Sequence, residues 1–267
     1  MYFPKSLVSR YLQCGVLFCL LTCCAAFNYA NGLVIYTEDW PPVSFQSNGR
    51  PDGLAVEVAE AIEKHLGINI PVQVVPWARG YKAVQEEPDV LLFTVGRSEE
   101  RERLMTLVGP VAVSRTVLYT RKGNAARVLA MGEGIYKLSV GAYRGSIFAD
   151  TARKKGFLAI DQAATPQITA KMLMMGRFDL WSEGSVVVPS VLKEIGYSAD
   201  DVEKVMVLDS LELYFAFSPR TSAATVKQWE DGLRWLKKEG IFQKIYQKWL
   251  PNDAPPPEVN RIGLVPQ

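Results

Sequence analysis

The chain has 267 residues, 48% hydrophobic and 22% charged, with 16 Pro and 20 Gly, which excludes the low-complexity and disordered classes and suffices for the core of one large or two small domains. Lys5 and Arg10 precede every acidic residue, and the remainder balances at 28 basic and 28 acidic side chains, arguing against a polyanion surface and against nucleic acid as a partner. Cys14, Cys19, Cys23 and Cys24 all lie near the start and His65 is the single histidine, so the rest of the chain has no disulfide, thiolate centre or two-histidine metal site, and no cofactor is expected.

Lys5 and Arg10 stand before the 14-residue apolar run Cys14–Phe27. A bilayer-spanning helix needs about 20 residues, so the run reads as a secretory signal peptide at 1–26, with cleavage anywhere from 26 to 30 and export to a bacterial periplasm. Imperfect lipobox-like strings at 20–24 leave a lipid anchor as the alternative.

Beyond the leader, short apolar runs at Leu33–Tyr36, Val72–Val75, Val90–Phe93, Val117–Tyr119, Leu138–Gly141, Val205–Leu208 and Tyr214–Phe217 alternate with helical periodicity, the pattern of an α/β fold. In the first helix Leu54, Val58, Ile62 and Leu66 share a face and Gly67 marks the stop. Further helices are expected at 98–105, 147–155, 166–175, 186–195 and 222–238, and a last element at 241–250 ends at Pro251. The Pro-rich tail 251–267 reads as a frayed end. His65 suits the C-terminal end of its helix, and Met172, Met174 and Met175 read as core.

Candidate functional groups collect where strand-like runs give way to loops, the place where open α/β sheets bind ligands. In Glu38-Asp39-Trp40-Pro41-Pro42, two carboxylates and an indole could form a preset wall for a small ligand; a turn with solvated acids fits the same residues. Trp77 and Arg79 follow a strand and could face a cleft or cover the core. Near Thr94 and Gly96, Ser98 reads as an N-cap followed by Glu99 and Glu100, which leaves Arg101 opposing the helix dipole. Capture of a ligand carboxylate by its guanidinium fork would account for it, as would surface pairing. At Arg144-Gly145-Ser146 a strand runs into a helix whose first N–H groups could cradle an anion or make a plain turn.

Taken in this order, the segments Thr37–Phe45, Pro76-Trp77-Ala78-Arg79, Gly96–Arg103 leading to Val108-Gly109-Pro110, Val140–Ser146 and Gly240–Trp249 resemble the bacterial extracellular solute-binding proteins of the polar amino-acid type (family 3), receptors of ABC importers, in the branch marked by Pro-Trp-x-Arg. The resemblance covers roughly residues 33 to 250. It implies a type II periplasmic-binding-protein fold of two α/β lobes joined by a two-strand hinge: lobe one at 33–118 plus 213–250, lobe two at 122–210, with crossovers near Tyr119–Arg121 and Leu211–Phe215. It also implies that Arg101 takes a ligand carboxylate beside Thr94 and Gly96. Glu38, Trp40 and Trp77 then wall lobe one, and Arg144, Gly145 and Ser146 form the lobe-two carboxylate loop. Many such receptors carry an Asp that pairs with the ligand ammonium where this chain reads Trp181-Ser182-Glu183-Gly184; Glu183 substitutes in a shifted register, or the ligand lacks an α-ammonium.

The reading is therefore a monomeric periplasmic protein that captures a small carboxylate solute and delivers it to an ABC permease, without enzyme activity. The alternatives are a cyclohexadienyl-dehydratase-like lyase on the same scaffold, with Glu38 or Glu183 as its acid or base, and a ligand-sensing receptor.

Overall fold

The structure, a computed structural model, describes residues 32–264, so the expected leader and its cleavage region lie outside the described residues. The first apolar run forms β1 (Val34–Thr37) and passes through the Trp40 loop into a hairpin, β2 (Phe45–Ser47) and β3 (Arg50–Asp52). Helix α1 (Leu54–Leu66) buries Leu54, Val58 and Ile62 as the periodicity requires. Gly67 closes it in the left-handed region at φ 71. Gly53 opens it at φ 118, where a Cβ would sit 2.7 Å from the Val43 carbonyl oxygen, so no larger residue fits that turn.

Next come β4 (Val72–Val74), α2 (Trp77–Glu86), β5 (Val90–Gly96) and α3 (Glu99–Glu102). Helix α3 is a single turn rather than the helix expected over 98–105, because Thr106 already belongs to the 16-residue strand β6 (Thr106–Arg121). After α4 (Ala125–Leu129) the chain alternates β7 (Ser139–Tyr143), α5 (Ile147–Lys154), β8 (Ala159–Ala163), α6 (Pro166–Met174), β9 (Leu180–Gly184) and α7 (Val188–Glu194). Strand β10 (Val202–Phe217) absorbs two of the expected runs and is followed by α8 (Ala223–Lys238) and α9 (Ile241–Trp249).

The sheet order is β4-β1-β5-β10-β6-β9-β7-β8. Strands β4, β1 and β5 run parallel in the first lobe, and β7 is parallel to β8 and β9 in the second. The lobes join through β6 and β10, which pair antiparallel from Val202 opposite Arg121 to Phe217 opposite Thr106. The Leu213–Phe217 end of β10 adds to β5, while Thr116–Tyr119 of β6 adds to β9. The change of neighbour on β6 thus precedes Thr116, earlier in the chain than the Tyr119–Arg121 crossover that the resemblance implied. Trp229 of α8 packs edge-on against Phe215 and Phe217, contacts worth about 0.5–1.5 kcal/mol each beyond their buried area.

The Pro-rich tail is not frayed. Asn260–Gly263 form β11, antiparallel to Thr106–Gly109 of β6, and the Lys237 ammonium donates to the carbonyls of Pro110, Pro256 and Glu258. Burial pushes that ammonium down to about 8. The methionines are less uniform than expected: Met172 and Met174 pack on the core, whereas Met175 is exposed. His65 stacks on Trp235 with ring centroids 3.9 Å apart.

Gly141 of β7 lies under Phe178, and an added Cβ would meet the ring at 2.0 Å. Gly141→Ala is expected to destabilise the protein by about 1–3 kcal/mol through overpacking, read as a lower urea midpoint with unchanged slope.

Candidate functional site

The ends of β1, β5, β7 and β9 converge where the two lobes face each other. Glu38 follows β1, Trp77 starts α2, and Thr94 and Gly96 end β5. Thr94 is held at φ 58, a left-handed conformation unusual for a side-chain-bearing residue. Together with Trp40 and Arg101 these residues line a cavity of about 10 Å³, room for about one water, and Tyr143 and Phe148 contribute the lobe-two side of its lining.

Arg101 sits in the one-turn helix α3, which Ser98 caps by accepting from the Arg101 N–H. Its side chain is 3% exposed. The guanidinium lies 5.1 Å from the Trp77 ring centroid and 5.0 Å from that of Tyr81, and one N–H donates to the Gly96 carbonyl at 2.9 Å. The two rings offset the desolvation of a buried cation, and the fork retains donors for an anion. Among the described residues no carboxylate lies within ion-pair distance of it: the nearby salt bridges run from Arg97 to Glu102 and Glu212.

Among the described residues, three side-chain hydrogen bonds cross between the lobes at the site, besides the one between the Ser114 and Ser185 hydroxyls at 3.3 Å beside the ribbon. The Trp77 indole donates to the Gly145 carbonyl at 2.8 Å, the Trp40 indole to Glu183 Oε1 at 3.2 Å, and the Tyr143 hydroxyl to Glu38 Oε1 at 3.3 Å. Glu183, fully buried, also accepts the Gly184 N–H at 2.9 Å, and among the described residues neither its Oε2 nor the neighbouring buried Trp181 indole N–H completes a hydrogen bond. Burial, helped by the charge of Glu38, pushes the Glu183 carboxyl up to about 8 against the bonds it accepts. Burial likewise raises Glu38 to about 8, opposed by the Tyr143 hydroxyl and the Arg101 charge and assisted by Asp39. Tyr143, buried beside both carboxylates, is pushed well above its ordinary value.

Of the ten candidate residues, Glu38, Trp40, Trp77, Thr94, Gly96 and Arg101 line the cavity. Glu183 touches it through Trp40, and Gly145 through the carbonyl that receives Trp77. Ser146 is buried but spends its hydroxyl capping α5 at the Ala149 N–H. Arg144 stands exposed and gives only its backbone N–H, to Ala163, so the structure does not bring its side chain to the others. Glycine is required after Glu183: a Cβ on Gly184 would lie 2.5 Å from the Trp40 ring, which rules out a carboxylate side chain at that position and leaves Glu183 as the acid of that strand end. Sequence reasoning missed Tyr81, Tyr143 and Phe148. Tyr81 was within reach, because it lies one helical turn after Trp77, the spacing that stacks their rings at 5.2 Å.

Comparison with known proteins agrees with this architecture. The model of the bacterial extracellular solute-binding proteins, family 3, matches residues 33–252. The L-cystine-binding protein TcyJ of Escherichia coli (strain K12) is 23% identical over 228 residues, covering 80% of each chain. The probable amino-acid-binding protein YxeM of Bacillus subtilis (strain 168) is 22% identical over 216 residues, 79% of this chain and 81% of that one. Among solved structures, a histidine kinase sensor domain with similarity to periplasmic binding proteins superposes with TM-score 0.74 at 21% identity, over 84% of this chain and 98% of that one. A mutant of ArgBP from T. maritima gives 0.71 at 19%, over 83% and 96%. At these identities the structures establish the type II fold of two lobes.

Two outcomes follow from the site. Between pH about 4.5 and 8 the folded chain holds protons on Glu38 and Glu183 that the unfolded chain has released, so both groups make stability fall as pH rises through that window. Glu183→Gln removes one of them, and its melting temperature should gain on the parent protein as pH climbs from 5 to 8. Trp77→Phe keeps the ring against Arg101 but loses the hydrogen bond to Gly145. It should favour lobe opening by about 1 kcal/mol, about fivefold in the open-to-closed ratio, visible as a longer mean distance between fluorophores placed one on each lobe.

Proposed function

The chain belongs to the bacterial extracellular solute-binding proteins of family 3, and we propose that it is a monomeric periplasmic receptor that closes on a small amino acid or related carboxylate and delivers it to an ABC permease. The observation that carries this reading is Arg101, a guanidinium held between two aromatic rings at the junction of the lobes, with donors left over and no carboxylate paired to it among the described residues. The names of the relatives, an L-cystine-binding protein and a probable amino-acid-binding protein, support the same substrate class.

In this mechanism the solute enters between the open lobes and its carboxylate meets the Arg101 fork, with Thr94 and Gly96 beside it. The ring faces of Trp77 and Tyr81 keep the guanidinium in place while water is expelled. Lobe two then swings in about the β6–β10 ribbon, bringing the Gly145 carbonyl to Trp77, Glu183 to Trp40 and Tyr143 to Glu38. A solute that touches both lobes binds the closed form better than the open one and so shifts the population toward it. The permease reads that closed form. The protein binds and releases its solute unchanged; Glu38 and Glu183 serve as polar partners of the ligand and not as acid or base. Residues 1–26 act as the export signal, 33–115 with 213–250 as the first lobe, and 122–210 as the second, to which the Thr116–Tyr119 stretch of β6 adds.

The test is a thermal-shift screen of the mature chain, refolded to strip carried-over ligand, against amino acids, small organic acids and amines. A ligand at 100 times its Kd adds about 2.7 kcal/mol of stability. The expected result is a carboxylate-bearing hit, recovered chemically unchanged and lost in Arg101→Ala; a hit that is consumed would instead favour the lyase.

A further inference from the structure

Two of the bonds that cross the seam end on carboxyl groups, and they do so reciprocally: Glu38 of lobe one accepts from Tyr143 of lobe two, and Glu183 of lobe two accepts from Trp40 of lobe one. Both acids are buried, Glu38 at 5% exposure and Glu183 at 0%. Among the described residues no Lys, Arg or His lies within ion-pair distance of either. Glu183 Oε1 takes the Trp40 and Gly184 N–H groups while Oε2 takes none, and the second oxygen of Glu38 accepts no hydrogen bond among the described residues. An ionised carboxylate in that state forfeits its hydration without replacement, whereas a neutral carboxyl in the same place costs far less. The groups that bear on Glu38 are the Tyr143 hydroxyl from β7, the Arg101 charge from α3 and the adjoining Asp39. Those that bear on Glu183 are Trp40, the Trp181 indole of its own strand, Tyr119 of β6, Tyr143 of β7 and Glu38 across the seam. Arg101 is the one cation in this set.

We propose that closure of the lobes is linked to protons: Glu38 and Glu183 enter the closed seam as neutral carboxyls and give up their protons to water when the lobes part. The device adds to the receptor reading above and is independent of which solute is carried. Each acid meets its donor from the opposite lobe only in the closed arrangement, so parting the lobes removes that donor and admits water to the carboxyl. An acid so rehydrated returns toward its ordinary value of 4.5, whereas burial in the seam holds it up to about 8. Between those values the closed form carries more protons than the open one, so falling pH draws the lobes together and rising pH loosens them. The third bond across the site, from Trp77 to the Gly145 carbonyl, has no titrating partner and is indifferent to pH. Two other shifted groups, Glu63 of α1 and Lys237 of α8, bond within lobe one and bear on the stability of that lobe alone. Because a solute enters between open lobes, acid slows its capture.

A pair of dyes on the mature chain tests this. The sequence has no cysteine after Cys24, so Lys82→Cys on lobe one and Lys193→Cys on lobe two, both at exposed positions, take the labels cleanly. The chain is refolded to strip carried-over ligand and measured with no solute added. The mean distance between the dyes should shorten as pH falls from 8.5 to 5, the closed-to-open ratio rising by at most about tenfold per pH unit for each proton taken up. Glu38→Gln and Glu183→Gln keep an accepting oxygen without the charge; each should flatten that slope, and the double variant should stay closed across the range. Glu63→Gln, a buried acid of lobe one away from the seam, should keep the parent's slope. A parent distance that does not change with pH, a double variant as steep as the parent, or an equal flattening by Glu63→Gln would each overturn the proposal and leave the receptor reading standing. The parent's slope is read without any variant, so it decides the sign even where a Gln substitution prevents folding.

Discussion

Both lobes hang on one antiparallel ribbon. Strands β6 and β10 pair over their whole 16-residue lengths, and each sheet is completed by an end of that pair. Between those ends, from Ala112 to Arg115, β6 has β10 as its paired neighbour among the described residues. A two-stranded ribbon twists more readily than a wide sheet, and the register of β10 slips between Val207 and Asp209 and again between Leu213 and Phe215. Such irregularities add local twist and bend. The structure is therefore stiff within each lobe and compliant between them, the mechanical property that a closing receptor needs.

What the ribbon brings together is electrostatically costly. Two carboxylates and a guanidinium share a site whose residues are nearly all buried, and no two of them form an ion pair within 4.0 Å. Arg101 recovers part of its desolvation from the faces of Trp77 and Tyr81, while the acids avoid theirs by holding protons. This leaves a cleft with donors and acceptors not fully satisfied by the protein itself, as Glu183 Oε2 shows. Groups in that state gain more from a correctly charged visitor than fully paired ones would. Selectivity then follows from what the protein leaves unpaired.

The sequence was legible wherever one physical signal dominated. Helix α1 could be read from its apolar period and its glycine stop, and α8 and α9 from amphipathic spacing, because each packs one face on the sheet. The length of β6 could not: its run from Thr106 contains Gly109, Pro110 and Ser114, and a strand shared by two lobes has no uniform inside and outside to imprint an alternation. The tail misled because four prolines say nothing about the pairing of the residues that follow them. At the site, strand-to-loop positions marked the lobe-one residues, and the order of short motifs placed Arg101. Arg144 drew attention as a charge in a loop, yet the carbonyl of its neighbour Gly145 makes the contact; backbone roles leave no trace in residue identity. Tyr143 and Phe148 were invisible for a related reason, since aromatic residues on a strand and a helix read equally well as core.

The indoles that bridge the lobes have an optical corollary. Trp77 lies flat beside a guanidinium and donates its N–H to a carbonyl of the opposite lobe, while Trp40 does the same to a carboxyl oxygen. Both chromophores thus span the boundary across which the lobes separate, whereas Trp181 and Trp229 stay inside their own lobes. Opening would return water and a different local field to two of the six tryptophans at once. The protein carries its own fluorescent gauge of conformation, wired to the same atoms that hold it shut.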